Sequence, residues 1–219
     1  MISKRQAYRY AVDIFLPNRC GICDKVIRWD KLICEDCEKN ADLIENCCRG
    51  TELGKMYGVF EYKDDIRKLI MRLKHTGDVD NFAELCAVKL AEALEAEGLA
   101  QSIDIVTAVP MHRSKRLRRG RDQARVIAKF VSRELGKQTD FSLLERTADT
   151  TEQHKLDKLE RKEHAEKIYR AAGKARDLTG KRVLICDDVI TTGSTMRACS
   201  EQLKKLGAQE VICCSAAMR

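Results

Sequence analysis

The stretch from Val183 to Thr195, VLICDDVITTGST, constrains the fold more than any other. Its four opening apolar residues have the length and character of a buried parallel strand. Two adjacent carboxylates, Asp187 and Asp188, stand at the expected C-terminal end of that strand. Val189 and Ile190 lead on to Thr191-Thr192-Gly193-Ser194-Thr195, which offers backbone N–H groups, hydroxyls and a glycine permitting close backbone approach. Met196, Cys199, Leu203 and Leu206 then share one face of a helix, with Gly207 as its expected C-cap. An anion held by Thr191–Thr195 would sit at the N-terminus of that helix, where orphan N–H groups and the macrodipole favour it. In open α/β sheets ligands bind outside the carboxyl ends of strands, where this turn should lie. The plainer alternative is an ordinary strand–turn–helix whose Asp and Thr side chains cap the helix.

A chain of 219 residues accommodates one ordinary domain and a small appendage, and its 44% hydrophobic content supports a core. With only 5% aromatic residues that core should be mainly aliphatic. The net charge of +7 suits polyanionic ligands, phosphates and nucleic acid among them, without selecting one. No apolar run approaches the roughly 18 residues of a membrane span, and the N-terminus lacks a signal-peptide core. Eleven scattered cysteines do not resemble a secreted disulfide framework, so a reducing, cytoplasmic location is expected.

Cys20-Gly-Ile-Cys23 and Cys34-Glu-Asp-Cys37 form two CxxC knuckles. Four thiolates in paired spacing can surround one Zn²⁺ tetrahedrally. A thioredoxin-like redox role is the weaker alternative, because neither pair follows a strand in a βαβ unit. Adjacent Cys47 and Cys48 cannot easily share one tetrahedral site and read as small hydrophobes, or as the remnant of a second metal site. Trp29, between the knuckles, either packs over the zinc module or stacks a base. Before the knuckles, Arg5 to Leu16 reads as a short amphipathic docking helix that stops at Pro17.

Downstream, Met56–Glu61 is expected as a strand, Lys63–His75 and Asn81–Glu97 as helices, and Ile103–Val109 as another strand. That strand exits into Val109, Pro110, Met111, His112 and Arg113, followed by a loop with six Arg/Lys in the nine positions 113–121. Such a run is either a solvated surface loop or a site offset by an anion. Its exit from a strand's carboxyl end, on the same rim as Thr191–Thr195, favours the anion. A helix follows from Asp122 to Gly136, then a strand at Phe141–Leu144. The charged run Arg146–Lys167 cannot bury itself and reads as a mobile loop that would cover an anion site. Tyr169–Ala172 should resume the sheet, and Val211–Ala217 should be a last strand without cover.

Two hydrophobic-flanked acids followed by Thr-Thr-Gly-Ser-Thr resemble the phosphoribosyl diphosphate (PRPP) motif of type I phosphoribosyltransferases. Together with the paired CxxC module, Val-Pro-Met-His at 109–112, Arg-Arg-Gly-Arg-Asp-Gln-Ala at 118–124 and Thr-x-x-Gln-x-x-Leu at 150–156 with Arg161, the order is similar to that of the competence protein F (ComFC) family across nearly the full chain. Family members carry Phe-Asn where Arg121-Asp122 stands here, often Pro before Gln153, and Asn at the place of His164.

The resemblance implies an α/β type I phosphoribosyltransferase fold, a parallel sheet with helices on both faces, over 56–219, behind a four-cysteine zinc-ribbon module over 1–55. It implies that Asp187 and Asp188 hold the ribose hydroxyls, that Val189 and Thr191, Thr192, Gly193, Ser194 and Thr195 form the phosphate site, and that Val109 to Arg113 hold pyrophosphate. Thr150, Gln153 and Arg161 would belong to a flexible loop, and Cys20, Cys23, Cys34 and Cys37 to structural Zn²⁺. An active enzyme would transfer the pentosyl group of PRPP, with Mg²⁺, to a nitrogen acceptor; no residue reads as an obvious general base. The alternatives are a non-catalytic PRPP sensor and a DNA-uptake adaptor in natural transformation. The adaptor would place single-stranded DNA on Arg116, Arg118, Arg119 and Arg121 and have helicase or recombination partners. A homodimer is allowed by analogy alone.

Overall fold

The computed structural model describes residues 10, 17–40, 44, 47–51, 54–75, 80–147 and 168–219. The helix expected over Arg5–Leu16 and the loop residues Thr150, Gln153 and Arg161 lie outside these, Tyr10 excepted. A zinc-module helix, α1 (Glu35–Asn40), precedes the main elements β1 (Cys48–Thr51), β2 (Gly54–Glu61), α2 (Asp64–His75), α3 (Asp80–Ala96) and β3 (Ile105–Ala108). There follow α4 (Arg113–Arg119), α5 (Gln123–Leu135), β4 (Gln138–Thr139), β5 (Leu144–Arg146), β6 (Tyr169–Ala171), β7 (Arg182–Ile190), α6 (Ser194–Lys205) and β8 (Glu210–Met218).

Six strands form one sheet in the order β1-β2-β8-β7-β3-β4, parallel except for the antiparallel β1–β2 pair. Side chains along β7 alternate between two cores, as the pleat requires. Leu184 and Cys186 pack with α3 and α5, whereas Val183 and Ile185 pack with α6 and the β5–β6 hairpin. The helices therefore lie on both faces, as the resemblance implied. Asp122 caps α5 by accepting the Arg125 N–H, and Gly136 ends it in the left-handed region at φ 65°.

Three expectations are corrected by the pairing. β8 is no uncovered last strand: it lies between β2 and β7 and is buried from Ile212 to Met218. Tyr169–Ala171 does not resume the main sheet but pairs antiparallel with β5 in a separate hairpin. The strand expected at Phe141–Leu144 begins only at Leu144, because Phe141 and Ser142 lie in a turn where Asp140 accepts from the Ser142 N–H.

Candidate anion site at the carboxyl rim

β7 and β8 remain paired to the end, Asp187 opposite Ser215 and Ile190 opposite Met218. The acids therefore sit inside β7, not at its end as the sequence suggested, because β8 extends the ladder under them. On the other side β3 leaves at Ala108 opposite Cys186, and the Val109 N–H makes a final 2.9 Å bond to the Cys186 carbonyl. The rim thus steps down beside the two carboxylates. Alternation sends Asp188 toward the α5 face and Asp187 toward the α6 face. The Asp187 Oδ1 accepts the Asp188 N–H at 2.8 Å.

Beyond Ile190 the chain turns through Gly193, which takes φ 73° at the N-cap of α6, and no side chain caps the helix there. A side chain at Gly193 would be strained. Thr192 and Ser194 hydroxyls lie 3.0 Å apart. Thr191 and Thr192 are exposed, Ser194 and Thr195 half-buried. The acids stand within the strand rather than at the helix end, and the Thr192 hydroxyl accepts the Ser194 N–H at 3.5 Å.

Val109 and Pro110 are buried, Met111 and His112 half-buried and Arg113 exposed. The following basic run is a helix, not the expected loop. His112 Nδ1 accepts the Ser114 N–H at 3.3 Å, and Gly120 closes the helix at φ 69°. Arg116, Arg118 and Arg119 occupy its last turn, where cations complement the dipole. Leu117 stands among them 75% exposed. Arg121 pairs with Asp80 at the start of α3.

Four residues without an expected site role lie on the elements that flank β7. Asp122 is buried, and its Oδ2 has no hydrogen-bond partner, although Arg125 Nε approaches to 3.4 Å. Burial pushes its carboxyl above the usual range, Arg125 and Arg116 opposing. Gln123 Nε2 donates to the Leu73 and Arg121 carbonyls at 3.3 and 3.2 Å, joining the ends of α2 and α4. On the opposite face, Arg146 donates to the Tyr169 hydroxyl at 3.0 Å. Asp122 and Gln123 lie in the 118–124 motif, whereas no local pattern marks Arg146 and Tyr169, which the β5–β6 hairpin brings together.

At the other end of the chain, the sulfurs of Cys20, Cys23, Cys34 and Cys37 lie within 4.8 Å of one another, Cys23 and Cys34 3.6 Å apart. Tetrahedral Zn²⁺ with bonds of about 2.3 Å spaces sulfurs by about 3.8 Å, so the set fits a structural zinc. Burial raises the Cys20 pKa, but backbone N–H donors from Cys23, Cys34 and Ile22 together lower it to about 7. The module docks on the first turn of α3: Asn81 Nδ2 donates to the Asn18 Oδ1 and the Arg19 carbonyl at 2.7 and 2.6 Å. A Cβ at Gly21 would stand 2.7 Å from the Phe82 nitrogen, which only glycine avoids. Trp29 is half-buried with Tyr10 edge-on at 5.7 Å, a packing role. Cys47 is buried in the core beside α3, away from the knuckles, and Cys48 is half-buried. Among the described residues no helix is long and apolar enough to cross a membrane.

Two family models match parts of the chain. A double zinc ribbon model matches residues 11–61, and a phosphoribosyl transferase domain model matches residues 121–219. Over 200 residues the chain is 29% identical to the DNA utilization protein YhgH of Escherichia coli (strain K12), covering 88% of this chain and 86% of that one. It is 26% identical over 195 residues to competence protein F of Haemophilus influenzae, covering 88% and 81%. The purine phosphoribosyltransferase of Pyrococcus horikoshii superposes on 62% of this chain and 73% of its own, with 22% identity and a TM-score of 0.38. With a phosphoribosyl transferase domain behind a double zinc ribbon and relatives of this kind along most of its length, the chain is similar to the competence protein F family.

Proposed function

We propose that this protein binds PRPP at the carboxyl rim, residues 56–219 forming the binding domain and residues 1–55 its zinc-bearing appendage. The observation that carries the reading is the uncapped N-terminus of α6 behind Gly193, directly after the two acids of β7. Backbone N–H groups and hydroxyls from Thr191 to Thr195 receive the 5-phosphate, while Asp187 and Asp188 accept from the ribose hydroxyls. The Val109–Arg113 segment, beside the step in the rim, receives pyrophosphate. Mg²⁺ suits the oxygen donors gathered here, Asp187 and Asp188 with the pyrophosphate, and neutralises the leaving group when bound. The residues themselves hold the ribose and orient C1 toward a nitrogen nucleophile, whose attack releases pyrophosphate. Pentosyl transfer and non-catalytic PRPP sensing separate on whether amine acceptors cause that release.

The test is calorimetric titration of PRPP with Mg²⁺ into the wild type and into Asp187→Ala plus Asp188→Ala. The wild type should bind and the variant should bind at least about 100-fold more weakly, because several charge-assisted hydrogen bonds are removed. Absence of wild-type binding would sink the reading.

A second reading rests on α4. Its run of arginines around exposed Leu117, in a relative of proteins named for DNA utilization and competence, favours a role in handling single-stranded DNA. Such a role, in a reducing cytoplasm and with helicase or recombination partners, coexists with PRPP binding. A homodimer would be compatible with either.

A further inference from the structure

We propose that Arg146 is a further ligand for the ribose 5-phosphate moiety of PRPP, with Tyr169 as the residue that positions it. The inference rests on the PRPP reading and adds to it a side chain that no motif contains. The turn Thr191–Thr195 is neutral, and Asp187 faces the same side of the sheet. A phosphate dianion set beside a carboxylate in a half-buried site needs a counter-charge. The arginines of α4 follow the other strand, β3.

Arg146 stands in the required place. It pairs with Tyr169 across the β5–β6 hairpin, and the Thr147 N–H then bonds the Ile168 carbonyl at 2.9 Å. Ala171 of the hairpin donates its N–H to Gln202 of α6 at 3.4 Å. Tyr169 is only 4% exposed and packs in the same core as Met196 and Cys199 of α6, so its position relative to the turn is fixed. Its hydroxyl accepts from the Arg146 guanidinium at 3.0 Å, and the guanidinium carbon stands 5.3 Å from the ring centroid. One buried ring thus confines a long cation by both face and edge. Thr195, in the first turn of α6, and the Asp187 carboxylate both act electrostatically on the same hydroxyl. A planar fork held at this point matches phosphate oxygens in a way that a mobile lysine does not.

The experiment titrates PRPP, ribose 5-phosphate and pyrophosphate separately, with Mg²⁺, into the wild type and into Arg146→Gln, Arg146→Lys and Tyr169→Phe. Arg146→Gln should weaken ribose 5-phosphate and PRPP on the order of tenfold, the effect of removing a charge-assisted bond, while leaving pyrophosphate unchanged. Arg146→Lys should recover part of the affinity. Tyr169→Phe, which keeps the buried ring, should show a smaller loss with the same ligand pattern. Wild-type affinity for ribose 5-phosphate in Arg146→Gln overturns the inference and leaves the PRPP site standing. An equal loss for all three ligands, with a lowered melting temperature, also overturns it by making Arg146 a stabilising residue alone. If the wild type binds neither PRPP nor ribose 5-phosphate, the site reading falls and this inference with it.

Discussion

Two segments leave neighbouring parallel strands at the same rim, and both suit an anion, but they are built differently. After β7 the groups on offer are backbone N–H groups and hydroxyls, held by a glycine at φ 73° at the helix N-cap. After β3 they are long side chains radiating from α4, whose backbone is closed at both ends by His112 and Gly120. A backbone cradle is short-ranged and fixes the shape of what it binds. A spray of guanidinium groups reads charge alone and is screened by salt.

The contrast breaks most sharply at Gly193. Gly193→Ala forces a Cβ into the left-handed region, at a cost of about 1–2 kcal/mol, and shifts the cradle. PRPP affinity should fall by more than about tenfold, against less than about threefold for Thr192→Ala, since a single neutral hydrogen bond contributes little. The reverse order in calorimetry would mean that the turn binds through side chains after all. On the other segment, Arg116→Ala plus Arg118→Ala should weaken single-stranded DNA binding at low salt. It should also flatten the log–log salt dependence by about 1.4, or about 0.7 for each phosphate no longer neutralised. Binding that is absent or insensitive to salt in the wild type would remove α4 from any nucleic-acid role.

The smallest effect sharpens the boundary between the segments, where Asp122 caps α5. Its carboxyl pKa is raised in the folded state by burial, so the unfolded chain ionises first as pH rises past the ordinary 3.8. Folded stability therefore falls with rising pH through the window above 3.8, and the loss is complete once the folded carboxyl has ionised. Asp122→Asn retains a capping oxygen and removes the buried charge. It should stabilise the protein at pH 7 by no more than about 1 kcal/mol, with no gain below about pH 4. Urea melts at the two pH values decide this, and destabilisation at pH 7 would show that Arg125 and Arg116 outweigh burial.

The glycine turn after β7 and the zinc knuckles were readable for one reason: each packs its chemistry into a few contiguous residues. Cys20 and Cys23, or Gly193 and Thr195, are brought together by the chain itself. Arg146 and Tyr169 are not, and they meet only because β5 and β6 pair across a long insertion. The extent of β7 was hidden too, since Asp187 and Asp188 look like a strand's end until β8 supplies Ser215 and Ala217 alongside. For α4 the mutual repulsion of six basic residues suggested a loop, whereas the caps at His112 and Gly120 settle the backbone as helix. Opposed charges at a single rim were legible; which face each acid takes required the ladder.

The central place of β8 has a consequence for how the molecule is made. Met56 of β2 waits for Cys213, and Phe60 for Ala217, so the hairpin β1–β2 leaves the ribosome with an open edge that nothing made before β8 pairs. Such long-range pairing is slow and leaves unpaired edges prone to aggregation. The knuckles, by contrast, draw all four sulfurs from Cys20–Cys37 and need nothing made later. Metal capture would then be the first folding event of the nascent chain, giving a rigid start to a sheet that stays incomplete until β8 has been translated.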